Sequence, residues 1–135
     1  MSTLYFAYGS NMNIRQMLGR CPKAQYVKKA ILNGWELYIN GRGVSSIRKK
    51  KDSKVVGVVW KITKLEERIL DIYEGAGVGF YTKCFFRNNG EKILVYIDYH
   101  KGEGKPRPGY LERIIQGAED FRLPQSYVEK LKTLA

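Results

Sequence analysis

The run from Val55 to Ile62, Val-Val-Gly-Val-Val-Trp-Lys-Ile, constrains the fold more than any other stretch of this chain. It is far too short to span a membrane and too uniformly apolar for a strand with one face in water. It predicts a central β-strand covered on both faces. Directly after it, Thr63-Lys64-Leu65-Glu66 has the capping-box form, in which Thr and Glu side chains satisfy the free amides of a helix start. A helix is expected there, with Leu65, Ile69, Ile72 and Tyr73 on its core face and Gly75 ending it.

The other elements follow from shorter signals. Leu4-Tyr5-Phe6-Ala7-Tyr8 is rich in β formers and predicts an opening strand. Gly9-Ser10-Asn11 breaks it, and Ile14, Met17 and Leu18 follow at helical spacing, with Asn13 as N-cap and Gly19 as the stop. Ala24 to Ile39 reads as a pair of strands around the turn signal Asn33-Gly34. Asn40-Gly41-Arg42-Gly43 reads as a loop before a short strand at Val44–Ile47. Phe80 to Arg87 and Lys92 to Tyr99 form a hairpin around Asn88-Asn89-Gly90. After a loop from Lys101 to Gly109, a helix from Tyr110 to Phe121 carries Leu111, Ile114, Ile115 and Ala118 on one face. A last helix runs from Gln125 to Leu134, after Leu123-Pro124. No regular βαβ alternation appears, so the expected class is α+β: one domain over 1–135, a curled, mostly antiparallel sheet or small barrel with flanking helices.

Composition narrows the function classes. Hydrophobic residues at 44% and charged residues at 27% fit a globular chain with a real core. There is no basic segment leading into an apolar one at the N-terminus, so no secretory signal is expected. Cys21 and Cys84 have no CxxC partner and no nearby histidine, which argues against zinc and leaves idle thiols. Cytoplasmic residence is the default. The net charge of +11 and pI near 9.7 could attract nucleic acid or steer an anionic small molecule. The densest basic run, Arg48-Lys49-Lys50-Lys51, reads as a solvated hairpin tip and lacks the interleaved aromatics of a single-strand nucleic-acid groove. Oligomeric state has no signature.

Two places could carry chemistry. A strand that ends in Gly-Ser-Asn and turns into a helix gathers backbone N–H groups in one concavity, a ready anion site. A structural turn with an Asn cap would give the same letters. Glu74 lies at a helix C-terminus, where the dipole disfavours a carboxylate, and Asp71 one turn earlier adds like-charge repulsion. On spacing alone, however, Glu74 projects away from the Leu65/Ile69/Ile72 face, as a solvated residue would. His100, the one histidine, has no GxSxG elbow with it and reads as a surface residue.

Tyr5-Phe6-Ala7-Tyr8-Gly9-Ser10-Asn11-Met12 resembles the signature of the γ-glutamylcyclotransferase and AIG2-like family. Gly57-Val58-Val59-Trp60 followed by a capped helix and Tyr73-Glu74-Gly75 is similar to that family's strand, helix and Glu-Gly. Phe80-Tyr81 and Tyr110-Leu111-Glu112-Arg113 resemble its later blocks, in the same order. The resemblance implies a γ-glutamylcyclotransferase-like barrel that cyclises a γ-glutamyl amine or amino acid to 5-oxoproline, without cofactor or metal. It implies Glu74 as general base and acid. Tyr5, Phe6 and Ala7 would form one wall, and the Tyr8, Gly9, Ser10 and Asn11 loop would grip the substrate. Tyr110 would offer its hydroxyl or else pack in the core, and Tyr81 would line the pocket or the core. A small-molecule substrate is the implied partner, with neither specific nucleic acid nor membrane. The rival readings are a non-catalytic module for a carboxylate-bearing metabolite and a basic nucleic-acid-binding domain.

Overall fold

The computed structural model describes residues 2–75, 80–99 and 102–135. Its elements are β1 (Ser2–Ala7), a 3-10 turn (Ser10–Met12), α1 (Ile14–Arg20), β2 (Gln25–Ile39) and β3 (Ser45–Thr63). After these come α2 (Lys64–Tyr73), β4 (Thr82–Asn88), β5 (Glu91–Ile97), α3 (Tyr110–Asp120) and α4 (Gln125–Lys132). One mostly antiparallel sheet has the order β2-β3-β1-β5-β4. Its one parallel pair joins β1 to β5 at Leu4–Ile93 and Tyr5–Leu94. The pairings stop at β2 and β4, so among the described residues the sheet stays open and is not a closed barrel.

The apolar run is the inner part of β3, paired to β2 on one side and to β1 on the other. Val55, Val56, Val58, Val59 and Trp60 are all buried, as a doubly covered strand requires. Gly57 is the point of closest approach. A Cβ there would collide with the Ala7 carbonyl and lie 2.9 Å from the Phe6 ring, so β1 can lie this close only because position 57 has no side chain.

Several local expectations change. The Ala24–Ile39 segment is one strand, not two: Gly34, with φ +82°, stands opposite residues 50–53 where the register slips between Asn33 and Trp35, so the bulge lies in β3. The basic run is not a hairpin tip. It lies inside β3, with Arg48 opposite Glu36 and Lys49 opposite Trp35, and the true β2–β3 connection is the Asn40–Val44 turn. Val44–Ile47 is accordingly the start of that same long β3, not a separate short strand. Gly19 does not stop α1, which continues through Arg20 until the Cys21 N–H closes on the Met17 carbonyl.

A further change concerns α2. The Thr63/Glu66 capping box is present, but Leu65 and Ile72 are exposed at 68% and 80%, and Tyr73 is exposed as well. The buried face carries Glu66 and Leu70 instead. Glu66 explains the rotation. One of its carboxylate oxygens accepts the Thr63 N–H at 3.0 Å and the other the Lys23 N–H at 2.7 Å. A fully hydrogen-bonded glutamate can face the core, and it turns the helix so that the i, i+4, i+8 row of 66, 70 and 74 points inward.

Candidate active site

Where β1 ends, the chain folds into its tight turn, with Met12 N–H bonded to the Gly9 carbonyl and Asn13 N–H to the Ser10 carbonyl, both at 3.0 Å. None of the bonds that hold this turn uses the N–H groups of Gly9, Ser10 or Asn11. Asn13 then caps α1 by accepting the Gln16 N–H at 3.1 Å. Asn11 is buried and clamped from several sides. It donates to the Tyr5 hydroxyl at 3.0 Å, and its side-chain oxygen accepts from Gln16 at 3.0 Å and Arg20 at 3.1 Å. Its backbone carbonyl accepts the Trp60 indole N–H at 3.1 Å. Through Asn11 the turn is thus tied to β3 and to α1.

This turn forms one wall of a cavity of about 310 Å³. Tyr5, Tyr8, Gly9, Ser10, Asn11, Glu74, Tyr81 and Tyr110 all line it, so elements far apart in sequence meet here. Phe6 and Ala7 do not reach it. They are fully buried, with Phe6 packed edge-on against Phe86 at 5.7 Å. Strand alternation accounts for Phe6, which faces the layer opposite Tyr5, whereas Ala7 shares the Tyr5 face and its single-carbon side chain stays buried. His100 lies outside the described residues.

Glu74 caps α2 one turn beyond Leu70, on the inward row, and its N–H still bonds the Leu70 carbonyl at 2.8 Å. Burial pushes its pKa up from 4.5 to about 7, while the nearby Arg20 and Arg42 guanidinium groups hold it back. The cause differs from the expected one. Asp71 contributes no appreciable repulsion, because it is tied to Lys83 at 3.2 Å and to the Tyr96 hydroxyl at 2.6 Å. Burial also raises the pKa values of Tyr5, Tyr8 and Tyr81, so these phenols stay neutral and can donate hydrogen bonds. Tyr8 spends its donor on the Tyr96 carbonyl at 2.7 Å and Tyr81 on the Ser45 carbonyl at 2.7 Å.

Sequence reasoning missed the basic part of the cavity. Arg20, Arg42, Arg107 and Arg113 all line it, together with Gln16, Ser45 and Tyr96. Arg42 is paired to the buried Asp98 at 2.9 Å and lies over the rings of Phe80 and Tyr81. Arg20 lies over the Tyr73 ring at 4.3 Å, which gives that exposed tyrosine a role at the rim. Arg42 lies in the Asn40–Val44 turn and Arg107 and Arg113 flank the start of α3, but Arg20 ends α1, so no local pattern joins the four.

A carboxyl group poised near neutrality, turn amides unbonded among the described residues and flanking guanidinium groups suit proton transfer on a small carboxylate-bearing molecule. The AIG2-like family matches residues 54–131. A solved structure of a γ-glutamyl cyclotransferase superposes with a TM-score of 0.91 at 29% identity, covering 100% of this chain and 89% of that one. The architecture is thus that of the AIG2-like enzymes. The human γ-glutamylcyclotransferase is 31% identical over 98% of this chain and 79% of its own length, and the mouse protein 32% over 97% and 78%. The chain belongs to the γ-glutamylcyclotransferase family.

Proposed function

We propose that this enzyme cyclises a γ-glutamyl amine or γ-glutamyl amino acid to 5-oxoproline and releases the free amine. The observation that carries the reading is Glu74, a carboxyl with a pKa of about 7, sharing one cavity with the Gly9-Ser10-Asn11 turn. The substrate's α-ammonium must lose a proton before its nitrogen can attack the γ-carbonyl carbon. Glu74 takes that proton. The new C–N bond closes the five-membered ring, the C–N bond to the leaving group breaks, and Glu74 returns a proton to the departing nitrogen. A pKa near neutrality suits both transfers, because neither form of the carboxyl is scarce.

The turn amides of Gly9, Ser10 and Asn11 hold the substrate's carboxylate or the oxyanion that develops on the γ-carbonyl. Tyr5 and Tyr110 border the same space and orient the glutamyl chain. Nucleophile and electrophile are tethered in one molecule, so the step calls for no cofactor. We further infer that residues 1–135 act as one catalytic unit in the cytoplasm, where a reducing milieu suits the free thiols of Cys21 and Cys84. Among the described residues, no helix is long and apolar enough to cross a membrane.

The test is 5-oxoproline release from γ-glutamyl amines, γ-glutamyl amino acids and glutathione, with wild type beside Glu74→Gln. Release by wild type and its loss in the variant are expected. Silence of folded wild type across the panel would sink the reading.

A further inference from the structure

The arginines of the cavity are not equally engaged. Arg42 has a carboxylate partner in Asp98, and Arg20 faces Glu74 while donating to Asn11. Arg107 and Arg113 are different. Both line the cavity and both are exposed, so they stand at its mouth. Arg107 donates to the Arg42 backbone carbonyl at 2.8 Å, and Arg113 to the Gln16 side-chain oxygen at 3.1 Å. Neither bonds a carboxylate among the described residues. Neutral acceptors thus fix both guanidinium groups in place without cancelling their charge. Side chains anchored in this way lose little further freedom when a ligand arrives.

Charge bookkeeping then points to the leaving group. The glutamyl half of the substrate is a zwitterion and brings no net charge. It sits with Glu74 and the Gly9 turn, leaving the mouth for the departing amine. A neutral amine would leave both arginines uncompensated, and an amino acid with an uncharged side chain would answer one of them. We propose that the preferred leaving group is a dicarboxylic amino acid, whose two carboxylates engage Arg107 and Arg113. This rests on the cyclotransferase reading and narrows its substrate. Arg-carboxylate pairs are directional and charge-assisted, and partial exposure moderates them to about tenfold in selectivity.

The experiment compares kcat/KM for γ-glutamylglutamate and its near-isostere γ-glutamylglutamine, at low ionic strength, in wild type, Arg107→Gln, Arg113→Gln and Lys130→Gln. Lys130 lies on α4 and removes the same unit of charge away from the cavity. The expected result is an approximately tenfold preference for the glutamate substrate, collapsing toward parity in either arginine variant and retained in Lys130→Gln. Equal rates for both substrates in wild type would overturn the inference while leaving the reaction intact. Equal collapse in Lys130→Gln would also overturn it, by showing diffuse attraction to a basic protein. If neither substrate yields 5-oxoproline, the reaction itself falls, and calorimetric binding of the two peptides still decides. Tighter binding of γ-glutamylglutamate, lost in the arginine variants, supports the arginine pair, and equal affinity rejects it.

Discussion

The Tyr110 hydroxyl lies 2.9 Å from Ser45 Oγ and accepts the Ser45 backbone N–H at 3.0 Å. One phenol therefore ties the first residue of α3 to the first residue of β3, in the cavity that Glu74 also lines. Tyr110→Phe should leave that amide without its acceptor and loosen the wall. The expected cost is about 1–2 kcal/mol in denaturant unfolding, with a fall in turnover that exceeds the change in KM. Unchanged stability and activity would mean that water replaces the phenol without consequence.

Gly9 faces the same pair. Its φ is −117° and its ψ −135°, outside the left-handed region. A Cβ at this position would land on Ser45 Oγ and come within 3.5 Å of the Tyr110 hydroxyl. Gly9→Ala should lower activity by about tenfold or more, and Ser45→Ala placed in the same chain should recover part of the loss by clearing the colliding oxygen. Strictly additive losses in the double variant would refute the steric account.

The acid limb of kcat/KM should report Glu74, rising through pH about 7 as the carboxyl deprotonates. Arg20 favours the charged form, so Arg20→Gln should move that limb to higher pH. A limb that stays near pH 4.5 would remove Glu74 from the role of base.

Stability should respond in the opposite sense to that of an ordinary paired carboxylate. Glu74 ionises at 4.5 when unfolded and about 7 when folded, so the native chain keeps a proton that the unfolded chain has lost. Native stability therefore declines between those values as pH rises, and the deficit is complete above pH 7. Glu74→Gln removes the deficit, which amounts to up to about 3 kcal/mol at pH 8. Thermal unfolding should show a clear Tm gain for the variant at pH 8 and a smaller one at pH 5.

Gly117 tests how α3 is seated. A Cβ there would meet the Met12 carbonyl carbon at 2.5 Å, so helix and turn backbones touch with nothing between them. Gly117→Ala should destabilise by about 2–4 kcal/mol and depress activity through the displaced turn. Urea unfolding beside an activity assay checks both effects.

Much of this layout can be read from the letters, and the failures share one cause. The strand–turn–helix at the N-terminus, the apolar run, the capping box and the α3 stripe are local patterns, and the structure contains each of them. The face of α2 is not a local property. Periodicity assigned Leu65, Ile69, Ile72 and Tyr73 to the core, whereas the hydrogen bond from Lys23 to Glu66 spans 43 positions and turns the helix the other way. Glu74 thereby reaches the cavity that helical spacing denied it. Asn33-Gly34 fails for a related reason: a positive φ serves a tight turn and an irregular strand pairing equally, and only the partner strand, which bulges at 50–53, selects between them. The arginines of the cavity come from α1, the Asn40–Val44 turn, the loop before α3 and α3 itself, and no spacing rule links them.

The position of β1 between β3 and β5 bears on how the polypeptide is made. Its first partner, Thr63, leaves the ribosome some sixty residues after Ser2, and its second, Leu94, later still. At about 5–20 residues per second, the nascent segment that will hold Gly9 waits for seconds as an apolar, unpaired strand. Closing so long a span is slow compared with forming local hairpins such as β4–β5. The Gly9 turn is therefore synthesised well before the strands that hold it, and newborn chains should need chaperone protection during that interval.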